Sequence, residues 1–109
     1  MKVFIIGNED NYPLGFSQAA IDIRKAGDTP INIYAISERL EGFTVADLAA
    51  VAFELIRISD AVMYIDEKLD FLAALERGKA RGDKKPIYNV ENVSLTQQTR
   101  NCEEGGCMN

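Results

Sequence analysis

The sequence alternates short apolar runs with longer segments of helical periodicity, and this alternation constrains the fold more than any other feature. Apolar side chains recur every three or four positions over residues 14–26, 44–59 and 71–81, which predicts three helices. Short β-branched or aromatic runs predict strands at residues 2–6, 31–34, 61–65 and 86–89. Strands separated by helices form right-handed βαβ units, so we predict an α/β fold whose parallel sheet is covered on both faces.

The order of these elements also predicts where a ligand binds. We expect a single-domain three-layer sandwich with a four- or five-stranded parallel sheet in the flavodoxin-like or Rossmann-like order 2-1-3-4(-5). The fifth strand is expected around residues 93–95, and residues 1–90 form the domain, followed by a polar tail over residues 91–109. Open α/β sheets bind ligands where the strand order reverses, here between the first and third strands. Gly7-Asn8 and the loop 66–70 are therefore expected to meet there.

Composition and charge exclude several classes of function. The chain has 109 residues, the length of one domain, and a net charge of −5. An acidic chain lacks the basic face that nucleic-acid polymers require. Histidine, the commonest metal ligand and near-neutral acid–base group, does not occur. We therefore expect no metal and no cofactor, and any catalysis falls to carboxyl, tyrosine, lysine or cysteine side chains.

Further segments of the sequence bear on the cellular location of the protein and on which parts of the chain are ordered. No apolar run approaches the length of a membrane span, and residues 1–6 are too short for a signal peptide, so we expect a cytoplasmic protein without membrane contact. Residues 35–43 are predicted to form a surface loop, with one helical turn as an open alternative, and residues 101–109 a poorly ordered end. Cys102 and Cys107 are close enough for a small disulfide loop, but we favour two reduced, exposed thiols.

Two carboxyl groups mark the third predicted helix. Asp70 stands at the N-cap position, and Glu76 lies between Leu72, one turn before it, and Ala80, one turn after it. Glu76 therefore borders the apolar face, where lost hydration raises the pKa of a carboxyl group. A structural cap is a sufficient explanation for Asp70, and an ion pair with a neighbouring Arg or Lys is the simplest alternative for Glu76.

Other candidate binding residues lie near the same edge of the sheet. Backbone N–H groups at Gly7 and Asn8 are suited to an anionic or hydroxylated ligand. Tyr12 is a candidate pocket wall and Asp66 a candidate ligand contact, with ordinary packing and a solvated loop as the alternatives. Gly78 costs about 1 kcal/mol relative to alanine inside a helix, which indicates close approach by a backbone or ligand, or simple drift.

The second predicted helix is apolar over much of its circumference. Thr44 and Asp47 resemble a capping box with a shorter acid than usual. The predicted inner stripe consists of Val45, Leu48, Val51, Ala52, Leu55 and Ile58. Phe53 and Ile56 widen the apolar surface beyond this stripe, which fits either burial against a neighbouring helix or contact with a second subunit. We predict a homodimer or larger assembly through this helix.

The pattern of residues at the predicted ligand site resembles the nucleoside 2-deoxyribosyltransferase-like superfamily. That group includes nucleoside deoxyribosyltransferases, deoxynucleoside monophosphate N-glycosidases and many small bacterial and phage proteins. The resemblance rests on a first strand ending in Gly7-Asn8, an Asp-containing loop after the third strand, and Glu76-Arg-Gly78-Lys-Ala80. A Gly-Asp-Lys-Lys-Pro run at residues 82–86 before the last strand completes it. The similarity covers about residues 1–90.

The resemblance implies a reaction. Glu76 would attack the anomeric carbon of a sugar and form a glycosyl-enzyme, while Asp70 holds the substrate or assists protonation. We therefore expect N-glycosidic cleavage or deoxyribosyl transfer on a nucleoside or nucleotide. The family's Ser-Gly-Thr after the Asp is Phe71-Leu-Ala73 here, which leaves a non-catalytic nucleotide-binding or protein-interaction module as the alternative. An open, polar pocket above Glu76 favours the enzyme, and one filled by Phe71 or Leu72 favours the module.

Overall fold

The computed structural model describes residues 1–38 and 42–89. Its parallel sheet has the order β2-β1-β3 and consists of β1 (Lys2–Ile6), β2 (Thr29–Ile31) and β3 (Ala61–Tyr64). The helices are α1 (Leu14–Lys25), α2 (Ile33–Ser37), α3 (Val45–Ile58) and α4 (Phe71–Gly82), and a 3₁₀ turn spans Glu9–Asn11. The predicted α/β class, the parallel sheet and the relative order of its first three strands are confirmed.

The sheet has three strands within the described residues, fewer than the four or five predicted. The predicted strand at residues 86–89 is reduced to one parallel bridge between Val62 and Ile87. Val62 N donates to Pro86 O at 3.0 Å, and Tyr88 N donates to Val62 O at 2.7 Å. The segment thus lies beside β3, in the fourth place of the predicted order. Pro86 has no N–H to donate, which limits the ladder at this edge.

Several predictions fall outside the described part of the chain. They concern the fifth strand around residues 93–95, the tail over residues 91–109 with its poorly ordered end, and the thiols of Cys102 and Cys107. They stay predictions. Among the helices that are described, none combines the length and the apolar character needed to cross a membrane.

The second predicted strand is shorter than expected and gives way to a helix. β2 ends at Ile31, whereas the prediction continued the strand to Tyr34 and followed it with a loop. Asn32 causes the change, because its Oδ1 accepts a hydrogen bond from Ala35 N at 2.8 Å and caps α2. Tyr34 is buried, but from a helix. A short apolar run does not distinguish the two structures.

The core surrounds β1, the central strand. Its four apolar residues Val3 to Ile6 are fully buried, and because successive side chains point to opposite faces, both faces of the sheet are covered. The helices contribute one buried stripe each. The buried apolar residues of α1, α3 and α4 are Phe16, Ala19, Ala20, Ile23, Ala49, Ala52, Ile56, Leu72, Ala73 and Ala80.

The buried face of α3 differs from the predicted stripe. Ile56 is fully buried beside Ala52, which fits burial within the chain, one of the two alternatives left open for this residue, and not contact with a second subunit. Val45 and Ile58, both placed in the inner stripe, are 50% and 44% exposed. Since α3 is apolar around most of its circumference, periodicity alone does not select the face, and Ala49, Ala52 and Ile56 pack inward. The capping box is confirmed: Thr44 N donates to an Asp47 carboxyl oxygen and Asp47 N donates to Thr44 Oγ1.

Candidate functional site

The loops that follow β1 and β3 meet at one edge of the sheet, as predicted, and Asn8 joins them. Asn8 N donates to Asp66 Oδ2 at 2.8 Å, and its Nδ2 donates to Lys68 O at 2.6 Å. Its Oδ1 accepts from Asp70 N at 2.7 Å. The backbone N–H and the side chain of Asn8 therefore hold the loop 66–70 at three points, which fixes the geometry of this edge of the sheet.

Asp70 caps α4 and also holds the turn after β1. Its Oδ1 accepts from Ala73 N at 2.9 Å, which confirms the predicted N-cap, and its Oδ2 accepts from Glu9 N at 2.9 Å. Both carboxyl oxygens thus accept backbone hydrogen bonds. Asp66 has a similar role, because it accepts from Asn8 N and, at 3.3 Å, from Asn11 Nδ2. The roles of Asp70 and Asp66 toward a substrate stay predictions.

The two candidate glycines have different surroundings. Gly7 is buried, and a Cβ at this position would overlap Ile65 and lie 3.0 Å from Phe16 Cζ, so packing alone explains the glycine. Gly78 is exposed, and no described atom lies within 4 Å of a Cβ placed there. No neighbour explains it, and two residues correspond to about 200° around a helix, so Gly78 faces away from Glu76. Their binding roles stay predictions.

Glu76 is buried on the apolar face of α4, as predicted. Its side chain is 1% exposed, and Oε2 has no hydrogen-bond partner among the described residues. Loss of hydration is the main cause that raises its pKa to about 8, and the carboxylate of Asp70 adds to the effect. The ion-pair alternative is not realised in the described structure, where neighbouring Lys79 pairs with Asp83 at 3.1 Å.

A cleft of about 260 Å³ opens beside the start of α4. The described residues that line it are Glu9, Tyr34, Ser37, Val45, Leu48, Asp70, Phe71 and Leu72. Glu76 is not one of them, but Leu72 lies one helical turn before it. The cleft is therefore open and partly polar, and Phe71 and Leu72 form part of its wall. An open, polar pocket favours an enzyme, and filling by Phe71 or Leu72 favours a binding module. Each of these two features is present in part.

Tyr34 belongs to this site and was missed by sequence reasoning. It is nearly buried and lines the cleft. Burial is the largest cause that raises the pKa of its phenol, and the carboxyl groups of Asp70, Glu76, Glu9 and Asp10 raise it further. The hydroxyl therefore stays protonated and available as a donor. A strand assignment for this segment hid the residue, and Asn32 as a helix cap is the signal that would have revealed it.

Tyr12 packs in an aromatic cluster beside the cleft. Its ring centroid lies 5.6 Å from that of Phe16 and 5.5 Å from that of Tyr34. It lines a different groove, of about 350 Å³, together with residues of α1 and the start of α2. The packing explanation therefore holds for its ring, and its predicted role as a pocket wall toward the ligand stays a prediction.

Comparisons with known proteins add no assignment. Neither the protein-family models nor the curated proteins gave a match to this sequence. The superfamily named above remains a resemblance carried by Gly7-Asn8, Asp70 and the Glu76 to Ala80 segment. In the part of the chain that the structure describes, no group of three or more acidic, cysteine or histidine side chains is placed to hold a metal ion.

Proposed function

We propose that this protein cleaves or transfers the N-glycosidic bond of a nucleoside or nucleotide, with Glu76 as the nucleophile. The observation that supports the proposal is the burial of Glu76. This residue is 1% exposed, and its Oε2 has no hydrogen-bond partner among the described residues. A buried polar group without a partner lowers stability. Carboxyl groups with strongly raised pKa values concentrate at functional sites, and this one lies on the helix beside the cleft.

The proposed reaction has two steps. A carboxylate oxygen of Glu76 bonds to C1′ of the sugar while the C1′–N bond breaks, and the base leaves with the bonding electron pair. The base takes a proton from water in the cleft; the resemblance gives this role to Asp70, but both Asp70 oxygens already accept backbone hydrogen bonds. Water, or an acceptor base, then attacks C1′, the bond from C1′ to Glu76 breaks to release a carboxylate, and the proton that the attacking group loses passes to solvent. Because the pKa of Glu76 is raised to about 8, the reactive form increases as pH rises through this value.

Access to Glu76 requires a change in the cleft wall. Leu72 lies in that wall, one turn before Glu76 on the same face of α4. In this proposal the Leu72 side chain rotates, or the first turn of α4 shifts, when the ligand enters. Tyr34 then donates a hydrogen bond to a ligand oxygen, because its phenol stays protonated.

The direct test is a substrate panel. The purified chain is incubated with each of the four 2′-deoxynucleosides and their 5′-monophosphates, and chromatography follows free base. Release of base by the wild type, and none by Glu76→Gln, supports the proposal. Glu54→Gln is the matched control, because Glu54 is an exposed residue of α3 that pairs with the exposed Arg57. Base release by the Glu76→Gln variant at the wild-type rate would contradict Glu76 as the nucleophile.

A second candidate function is a non-catalytic binding module on the same fold. Two observations favour it: Glu76 does not line the cleft, and Asn8, Asp66 and Asp70 already satisfy one another's hydrogen bonds. A module of this kind binds a nucleoside in the cleft and releases no base. Titration calorimetry on the same panel separates the two functions, since saturable binding without turnover supports the module.

The proposal extends to location and assembly. We propose a cytoplasmic homodimer or larger assembly, the arrangement predicted from α3. Ile56 cannot contribute because it is buried, but Val45 at the start of α3 and Phe71 at the start of α4 are 50% and 72% exposed. Both line the cleft, so an apolar contact there would lie beside the site. Light scattering that gives only the monomer mass at high protein concentration would exclude the assembly.

A further inference from the structure

We infer that the cleft accepts an uncharged nucleoside and discriminates against the corresponding 5′-phosphate. The inference rests on the proposed function and specifies its substrate class. Three observations on the described residues carry it: the charge of the cleft, the occupancy of the backbone donors that would hold a phosphate, and the size of the space.

The charged residues among the described cleft lining are acidic. Glu9 and Asp70 line the cleft, and no Lys or Arg is among the described lining residues. Tyr34, in the same wall, lies in the electrostatic field of these two carboxylates and of Asp10, and Glu76 adds its charge only as pH rises through about 8. A phosphate dianion placed here meets like charges at short range, and in an open cleft this repulsion is strongest at low salt.

Three of the backbone donors at this edge of the sheet are already occupied. In open α/β sheets, phosphates bind free N–H groups in the turn after a strand and at the start of the next helix. Here Asn8 N donates to Asp66 Oδ2 and Glu9 N donates to Asp70 Oδ2. At the start of α4, Ala73 N donates to Asp70 Oδ1. At these three N–H groups the carboxylates of Asp66 and Asp70 take the place of an anionic ligand.

A lysine of the adjoining loop and an arginine of the other groove do not line the cleft. Lys68 belongs to the loop 66–70, but its side chain is exposed and does not line the cleft. Arg24 lines the other groove, beside Tyr12. A phosphate in the cleft would therefore find neither a lysine nor an arginine of the described lining.

The remaining lining suits the uncharged part of a nucleoside. Val45, Leu48 and Phe71 offer apolar surface to a base, and Tyr34 and Ser37 offer hydroxyl groups to sugar oxygens. The cleft volume of about 260 Å³ is near the lower end of ligand cavities, which run from roughly 300 Å³ upward. Small size and mixed apolar and hydroxyl lining favour a ligand without a phosphate.

The test compares each 2′-deoxynucleoside with its 5′-monophosphate by binding and by turnover. Nitrogen-15 labelled protein is titrated with both members of a pair, and shifts of residues 34, 48 and 70–72 report binding in the cleft. We expect the monophosphate to bind at least tenfold more weakly at low ionic strength. The difference narrows as salt rises from about 0.01 M to about 1 M, because screening removes the repulsion. Equal or tighter binding of the monophosphate at low salt overturns the inference.

A charge-reversal variant tests the cause. Glu9→Lys keeps the backbone N–H that donates to Asp70 and places a cation in the cleft lining. We expect it to reduce the discrimination against monophosphates by about tenfold or more. Glu54→Lys makes the same charge change on the exposed face of α3 and leaves the discrimination unchanged. A Glu9→Lys effect no larger than that of Glu54→Lys overturns the electrostatic explanation.

The outcomes separate this inference from the proposed function. Cleavage of monophosphates in preference to nucleosides supports the reaction and overturns the inference. Selective binding of nucleosides without release of base supports the inference and overturns the reaction. Binding of neither member of any pair, judged by unchanged shifts, overturns both.

Discussion

Asp70 and Glu76 lie six positions apart on one helix and have opposite surroundings. Asp70, at the first turn, accepts hydrogen bonds from Ala73 N and Glu9 N with both of its oxygens. Glu76, in the interior, has an Oε2 with no partner among the described residues. The first carboxyl group has a complete structural explanation. Glu76 has no structural explanation in the described structure, and it lowers stability when it ionises. For this reason Glu76 is the stronger candidate for chemistry.

The largest effect expected from this comparison is on turnover. Glu76→Gln keeps the size of the side chain and removes its charge, so it can neither attack C1′ nor stabilise a cationic sugar. We expect a loss of at least about 10³-fold in kcat, which corresponds to about 4 kcal/mol in the barrier. Asp70→Asn, which retains a cap, should lose less. A smaller loss in Glu76→Gln than in Asp70→Asn would reverse the ranking of the two carboxyl groups.

The second effect is the dependence of stability on pH. The pKa of Glu76 is raised to about 8 in the folded protein from an ordinary value of 4.5. Between these values the folded state holds a proton that the unfolded state has lost, so stability falls as pH rises, by at most about 1.4 kcal/mol per pH unit. The stability that the protonated Glu76 side chain contributes is fully present below pH 4.5 and is lost as pH rises through about 8. Urea unfolding across this range measures the slope.

The matched control for this slope is Glu76→Gln, which has no carboxyl group to titrate. We expect its free energy of unfolding to be flatter between about pH 5 and about pH 8 than that of the wild type. Glu54→Gln, at an exposed position, keeps the wild-type slope. An equal slope in wild type and Glu76→Gln would show that Glu76 is not the group responsible.

The third effect concerns the cap. Asp70→Ala leaves Ala73 N and Glu9 N without their side-chain acceptor, and we expect a loss of roughly 1–3 kcal/mol in the free energy of unfolding. Asp70→Asn keeps an acceptor oxygen for the cap and should lose less. Urea midpoints with unchanged m-values measure both losses. If alanine and asparagine were equally destabilising, the cap would not be the source of the effect.

The smallest effect is at Gly78, compared with Gly7. Gly78→Ala adds a Cβ where no described atom lies within 4 Å, so we expect a gain of about 0.5–1 kcal/mol and unchanged activity. Gly7→Ala adds a Cβ that overlaps Ile65, and we expect a loss of about 1–3 kcal/mol. Thermal unfolding ranks the pair. A loss of activity in Gly78→Ala would instead indicate the ligand contact that the sequence suggested.

Local signals predicted much of this molecule. The two helix caps at Thr44 and Asp70 were read from residue type and position, and the burial of Glu76 followed from its spacing to Leu72 and Ala80. The parallel order of the first three strands followed from the alternation of strands and helices. These features depend on neighbours within a turn or on general rules of chain connection, so a single sequence carries them.

The features that were missed depend on contacts between distant segments. The inward face of α3 is set by its packing partners, so the stripe through Val45 and Ile58 was a poor guide. The helix that places Tyr34 in the cleft begins at one Asn32 hydrogen bond, which competes with strand formation. The N–H groups of Asn8 and Glu9 donate to the carboxylates of Asp66 and Asp70, which lie about 60 positions later in the sequence, so local patterns do not reveal these hydrogen bonds.

The three contacts of Asn8 have a consequence for the order of folding and for amide exchange. They join residue 8 to residues 66–70 and therefore close a loop that contains most of the domain. Closing such a loop costs chain entropy that strand pairing must first offset, so the edge beside the cleft forms only after β1 and β3 have paired. The amide protons of Asn8 and Asp70 should consequently exchange at the rate of global unfolding, although both lie in loops.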